Sequence, residues 1–354
     1  MSGLTFRAAS DADRDAWQAL VGQVPSGDFL HDWGWAEVAA FDGQPQRRYL
    51  VEDAGQLVAV AAPQVRPIGM GRTFWYVPHG PVTDYQAGAA GDRIRTLVDG
   101  LAAAARDDRA IAIRLEPRIE AGAPEAARLD GPAHHVSERL QVGQTRIVEL
   151  ADDETLLAGF DADTRYAVRR AAREEVTTAI LTDPSDRAAI ERLHDLVQAT
   201  QRRAGFRLPP LERYWTAWQA LATHGGACLV EARREDELLA SGMLVIEGAQ
   251  SFYLFAGSRR EATGEPKRYA SYAAQWAMMR EARDRGAIHH DLWGVAPADA
   301  GPDHPWHGVG LFKKGFGGRE VTWAGSWEVV IDPLVYRLRS AAARLRRRSP
   351  RDQP

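Results

Sequence analysis

The chain has 354 residues, 45% of them hydrophobic and 26% charged, with 44 basic against 48 acidic side chains and a formal net charge of -4. At about 150 residues per domain this length allows two domains with ample core. The charge excludes a global attraction for nucleic acid, so any anionic partner has to be met by local basic patches. A single cysteine, Cys228, excludes an intramolecular disulfide framework and fits a reducing compartment. The polar N-terminus and the lack of an apolar run of spanning length point to a cytoplasmic protein.

In chain order, a Trp33-Gly-Trp35 segment leads into a predicted hairpin, Tyr49–Glu52 and Gln56–Val60, turned at Asp53-Ala-Gly. A third strand, Thr73–Val77, ends in Tyr76-Val-Pro-His-Gly-Pro81, a rigid exit that serves as a corner or as the wall of a substrate channel. A helix over Asp92–Arg106 and a strand over Ala110–Leu115 follow. Two further helices are predicted over 162–175 and 184–204. On the first, Arg165, Arg169 and Arg173 fall at i, i+4 and i+8, a basic stripe that is either a solvated face or an anion contact.

The plan then recurs. Tyr214–Trp218 leads into strands at Cys228–Glu231 and Leu238–Gly242, a third strand Ser251–Phe255, a helix over Tyr269–Arg285 and a strand over Ile288–Trp293. A helix, hairpin, strand, helix, strand order used twice argues for two α+β domains facing a cleft. We place them at 1–155 and 156–335, with a basic C-terminal helix and tail over 336–354 suited to an anionic membrane surface or an RNA backbone.

Chemistry concentrates in the last unit. Asp291 closes a predicted strand, a position from which a carboxylate orients or accepts a proton. Lys313 and Lys314 lie in Gly310-Leu-Phe-Lys-Lys-Gly-Phe-Gly-Gly318. Read as extended chain, this segment points the lysines to opposite faces, packs the phenylalanines beneath and lets glycines admit a ligand. Of eleven tryptophans, most are core fillers, while some, Trp33 and Trp293 among them, wall a groove. His289 and His290 alternate faces on a strand, so no metal is expected. Cys228 sits in an apolar run as a buried thiol, and no nucleophile elbow, P-loop or dinucleotide fingerprint is present.

Taken in order, Phe29–Ala36, Tyr76–Val82, Thr164–Ala171, Arg203–Phe206, Asp291–Val295 and Phe312–Gly317 resemble the FemABX family, the aminoacyl-tRNA-dependent transferases that build peptidoglycan interpeptide bridges. The resemblance implies two domains of the GCN5-related acetyltransferase (GNAT) type around a central cleft, here without a long coiled-coil arm. It implies aminoacyl-tRNA as co-substrate with no other cofactor, and a lipid-linked or UDP-linked muropeptide as acceptor. It maps the family lysine onto Lys313, an oxyanion partner, and the family arginine onto Arg169. Arg165, Tyr76, His79, Trp33, Trp293 and Lys314 complete the expected binding set, and Asp291 joins Lys313 as catalytic. The chain departs from the pattern at Ala39-Ala40, where relatives carry a lysine, and at His79, where arginine is commoner.

A monomer at the inner face of the membrane is the expected setting. The alternatives are an acyl-CoA-dependent N-acyltransferase, disfavoured by the spacing of Gly257–Pro266, and a non-catalytic muropeptide- or RNA-binding relative. The same transfer chemistry in peptide-antibiotic tailoring is a third.

Overall fold

The computed structural model describes residues 3–136, 138–204, 208–259, 268–296, 301, 303–304 and 306–348. The first half runs β1 (Leu4–Ala8), α1 (Arg14–Gln23), α2 (Trp35–Phe41), β2 (Tyr49–Asp53), β3 (Gln56–Ala61), β4 (Gln64–Gly69), β5 (Arg72–His79), β6 (Val82–Thr83), α3 (Ala90–Asp107), β7 (Ala110–Pro117), β8 (His134–Val136) and β9 (Gln144–Glu149). The second runs α4 (Asp153–Gly159), α5 (Ala162–Arg173), β10 (Thr177–Leu181), α6 (Arg187–Ala204), α7 (Leu211–Ala222), β11 (Ala227–Arg234), β12 (Glu237–Glu247), β13 (Gln250–Ser258), α8 (Ala270–Asp284), β14 (His289–Gly294), α9 (His307–Gly315), β15 (Arg319–Thr322), β16 (Ser326–Val330) and α10 (Pro333–Arg348). Among the described residues the longest helices have 18 residues, so the expected armless α+β architecture is what the chain adopts.

Each predicted hairpin forms, β2 with β3 and β11 with β12, both antiparallel. The two units then diverge. In the second, β12 runs unbroken for 11 residues inside a seven-stranded sheet ordered β10-β11-β12-β13-β14-β9-β15. In the first, the equivalent path breaks at Ala62-Pro63 into β3 and β4, and the sheet divides into β1-β2-β3-β6 and β4-β5-β7-β16-β8. Pro63 has no N–H to give a ladder, which is why a strand interrupts there.

Strand pairing crosses the expected boundary at 155/156. β9, from the first half, lies between β14 and β15 in the second sheet. β16, from the second half, pairs with β7 in the first sheet. The helix order suggested a clean cut, but the strands are exchanged between halves. Separating them would strip two strands of their ladders and expose buried backbone polar groups.

One of the two main apolar clusters spans both halves: Phe29, Trp35 and Val38 pack with Trp218, Met243 and Phe252. α10 packs on β7, and its Tyr336 hydroxyl donates to Glu328 of the adjacent β16. Its Leu334 and Leu338 stay exposed, and no helix among the described residues is long and apolar enough to cross a membrane. The tail at 349–354 lies outside the described residues, as do Gly205 and Phe206 of the fourth motif.

Candidate active site

The site is made by a strand pair that parts company. β13 and β14 pair in parallel at Gln250–His289, Ser251–His290 and Phe252–Asp291, and then diverge. In the first unit the counterpart pair, β5 and β7, stays paired from Thr73–Ala110 to His79–Pro117, with one irregularity between Thr73 and Trp75. Only the second unit therefore opens. Two bulges widen the gap. Phe255, the extra residue where β13 meets Gly242/Met243 of β12, has φ +44°, and Trp293 on β14 has φ +62°. Non-glycine residues held in that region mark places where the surrounding fold overrides local preference.

A cavity of about 520 Å³ fills the opening, lined by Tyr253, Leu254, Gln275, Met278, Phe312 and Lys313 among others. Its polar groups are few, the usual composition of a small-ligand site. Gly257, on its β13 wall, has no room for a side chain, because a Cβ there would come within 2.3 Å of the Leu196 backbone on α6.

Lys313 enters this cavity from a helix, not from the extended segment that the glycines suggested. α9 covers His307–Gly315, and the consecutive lysines are separated by a helical step: Lys313 is buried and Lys314 exposed. Gly315 and Gly317 are not openings for a ligand. A Cβ on Gly315 would meet Thr164 Oγ1 at 2.2 Å, and one on Gly317 would meet the Gly159 carbonyl at 2.3 Å. They let the end of α9 seat directly on the start of α5, where Asp161 N donates to Gly315 O at 2.9 Å. Phe312 and Phe316 pack beneath as expected, against Tyr272 and each other.

The ammonium is held by backbone. Lys313 Nζ donates to Gly294 O at 2.6 Å and to Trp293 O at 3.3 Å. Trp293's left-handed bulge, which breaks the β14–β9 register, accompanies this placement of the two carbonyls. Burial pushes the Lys313 pKa down to about 8, against a raising pull from Asp291. An ammonium has three donors. Two are used by the bulge, which leaves one for whatever occupies the cavity.

Asp291 is more occupied than its strand position implied. Its carboxylate accepts from Arg118 Nη2 at 2.9 Å, from the Thr145 hydroxyl and from Trp293 N at 2.8 Å. Arg118 also donates to Gly27 O at 3.0 Å and lies 3.4 Å from Asp28, between the rings of Phe252 and Trp323. Asp28 in turn bonds His79 Nδ1 at 2.8 Å. The result is a buried chain, His79–Asp28–Arg118–Asp291–Thr145, that crosses from the first unit to the second.

The expected binding set scatters. Trp293 lines the cavity beside Lys313. His79 is buried, with φ +47°, its ring beside Trp293. Tyr76 is fully buried with its hydroxyl on Glu116 at 2.7 Å. Trp33 packs edge-on to Trp17 with the Arg48 guanidinium 3.9 Å from its ring centre. These three are buried in the frame and do not line the cavity. Arg165 is turned inward to the Phe160 and Ala158 carbonyls at the end of α4, whereas Arg169 is exposed on α5 and makes no hydrogen bond or ion pair with the described residues.

Sequence reasoning missed Arg118, Asp28 and Gln275. A signal for Arg118 existed: Glu116-Pro-Arg118 follows a strand of apolar residues, and charge at the end of a fully buried strand has to be paired. Nothing local marks Asp28 or Gln275. His290 uses both ring nitrogens, on Ser251 Oγ at 2.8 Å and Gln275 Nε2 at 2.7 Å, and among the described residues no group of side chains is disposed to hold a metal ion.

Comparison with known proteins places this geometry. The FemAB family model matches residues 225–344, which include the diverging strands, α8 and α9. The chain is similar to the lipid II:glycine glycyltransferase of Staphylococcus saprophyticus, at 24% identity over 397 residues, covering 91% of this chain and 93% of that protein. It is similar to the UDP-N-acetylmuramoylpentapeptide-lysine N(6)-alanyltransferase of Weissella viridescens, at 25% identity, covering 91% and 95%. Among solved structures, that of FemX superposes with a TM-score of 0.84 at 21% identity over 94% of this chain and 99% of that one. A tandem GNAT protein from the clavulanic acid biosynthesis pathway gives 0.51 at 14% identity, over 93% and 98%. These superpositions confirm the GNAT-like fold that the sequence implied.

Proposed function

We propose, from its similarity to FemAB-family transferases, that the chain is an aminoacyltransferase that moves an amino acid from aminoacyl-tRNA onto the stem-peptide amine of a lipid-linked or UDP-linked peptidoglycan precursor. The observation that carries this reading is Lys313, a buried ammonium fixed by two backbone carbonyls at the wall of a largely apolar cavity. Such a cation is preorganised for negative charge that develops in the transition state.

An aminoacyl ester is already activated, so the step needs no protein nucleophile. The acceptor amine attacks the ester carbonyl and the C–N bond forms. Lys313 stabilises the oxyanion, an effect of about 3 kcal/mol for one donor. The ester C–O bond then breaks, and the ribose oxygen leaves with the proton the amine gives up. Asp291 is not cast as the base. Both of its oxygens already accept, from Arg118, Thr145 and the Trp293 N–H, so it positions the bulge on which Lys313 rests. The exposed Arg169 serves the phosphates of an incoming substrate, and the exposed leucines and arginines of α10 suit an acceptor presented at an anionic membrane surface.

The test supplies charged total tRNA with each acceptor and weighs the product. A gain of one aminoacyl residue on the muropeptide is expected. No gain with either acceptor, together with micromolar binding of acetyl-CoA by calorimetry, would replace this reading with an acyl-CoA-dependent one.

A further inference from the structure

We infer that Gln275 reads a hydrogen-bond donor on the group that enters the cavity, and that this donor is the α-ammonium of the transferred aminoacyl group. The second clause rests on the transfer reading above; the first does not.

Gln275 is a polar residue on an otherwise small and apolar face of α8, among Ala270, Ala273, Ala274 and Met278. It is 1% exposed, and it lines the cavity that Lys313 also lines. Its orientation is settled by a relay. Ser251 Oγ donates to His289 O at 3.0 Å, which spends its single proton. The Ser251 oxygen therefore accepts from His290 Nδ1–H at 2.8 Å. His290 is fully buried, and desolvation holds its pKa down at about 3, so the ring is neutral and Nε2 is an acceptor. Gln275 Nε2 donates to that nitrogen at 2.7 Å. This arrangement satisfies all three bonds at once, and it fixes which end of the amide is nitrogen.

The consequence is a carbonyl oxygen with a defined direction. Gln275 Oε1 is buried and has no hydrogen-bond partner. A buried acceptor left unpaired is costly, and the side chain cannot flip without breaking the His290 relay. An acceptor so fixed selects for N–H or O–H on its ligand and against a carbonyl or a bare methyl group at the same place. With the cation of Lys313 available for the ester oxygen, Gln275 supplies the opposite polarity for the amine. The two polar ends of an aminoacyl group thus find complementary partners in a cavity whose other walls are largely apolar, with a few hydroxyls such as Ser241 and Ser271 among them.

The experiment compares alanyl-tRNA with propionyl-tRNA, which has hydrogen in place of the amine, in the parent and in Gln275→Leu and Gln275→Met. A nonreacting pair, the 3′-alanylamino and 3′-propionylamino derivatives of 3′-deoxyadenosine, is measured by calorimetry alongside. The parent is expected to prefer the amine-bearing partner of each pair by about tenfold to a hundredfold. Both variants should bring each ratio close to one, chiefly by losing the amine-bearing partner. Equal handling of the two binding probes by the parent, or a parent ratio retained in both variants, overturns the proposal. So does an equal loss on both members of a pair, which marks Gln275 as a support for His290 only. If the parent transfers nothing from either tRNA while the binding ratio behaves as expected, the transfer reading fails and the amine-reading role of Gln275 stands.

Discussion

Arg118 Nη2 donates to Asp291 Oδ2 at 2.9 Å across 173 positions of sequence, with each side chain only 2% exposed. The bond joins the end of β7 in the first sheet to β14 in the second. Asp28 takes the other side of the same guanidinium. One arginine thus balances two buried carboxylates at the seam between the halves, and the cavity opens directly beyond it at Trp293.

Removing one member of such a pair leaves a buried charge without its partner, which costs about 3–5 kcal/mol. Arg118→Met is therefore expected to lower the unfolding free energy by that amount, measured by denaturant titration. Asp291→Asn should cost less, since the amide still accepts from Trp293 N. The double variant should lose less than the sum of the two.

Lys313→Met should remain folded and lose about a hundredfold in turnover, the value of one oxyanion donor. The pH dependence has a definite sign. The folded pKa is depressed from 10.5 to about 8, so the folded state sheds its proton before the unfolded state does. Between those values the unfolded chain binds more protons, and the parent gains stability with rising pH, by at most about 3 kcal/mol. Lys313→Met lacks that gain, and unfolding curves of the two proteins at pH 7 and pH 10 report the difference. Turnover of the parent runs the other way. It should fall as pH rises past about 8, because the neutral amine cannot stabilise an oxyanion; turnover that climbs steadily through pH 9 would exclude a charged Lys313.

Glu247, on β12, is buried and hydrogen-bonded with Asp32, and desolvation raises its carboxyl well above the usual carboxylate range. Asp32 is raised as well, for the same first cause. A carboxyl whose folded pKa is raised contributes stability that is complete below about pH 4 and lost as pH climbs through the folded value. Glu247→Gln keeps a hydrogen-bonding group without the titration. It should match the parent at pH 4 and exceed it at pH 8, by about 1.4 kcal/mol for every tenfold by which folding tightens the carboxyl's hold on its proton. Melting temperatures across that range check it.

The two arginines of the α5 stripe should separate. Arg169→Ala is expected to leave stability within about 0.5 kcal/mol of the parent, to raise KM for substrate and to reduce its salt dependence. Arg165→Ala, which loses its bonds to the Phe160 and Ala158 carbonyls, should instead lower the melting temperature. A KM effect confined to Arg165→Ala would reverse the assignment.

The sequence by itself determined the elements and their repetition, since periodicity and turn chemistry are local. It marked Lys313 through an ordered set of motifs. It misread the conformation of that lysine, because glycines that look like room for a ligand are room for the Gly159 and Thr164 atoms of two neighbouring helices. Tertiary structure alone decided which sheet each strand joins, as β9 and β16 change places through hydrogen bonds between distant segments. It also decided what Asp291 touches. A carboxylate on a strand reads as a base until Arg118, Thr145 and Trp293 are seen to occupy it, and two of those three partners come from elements far away in the chain.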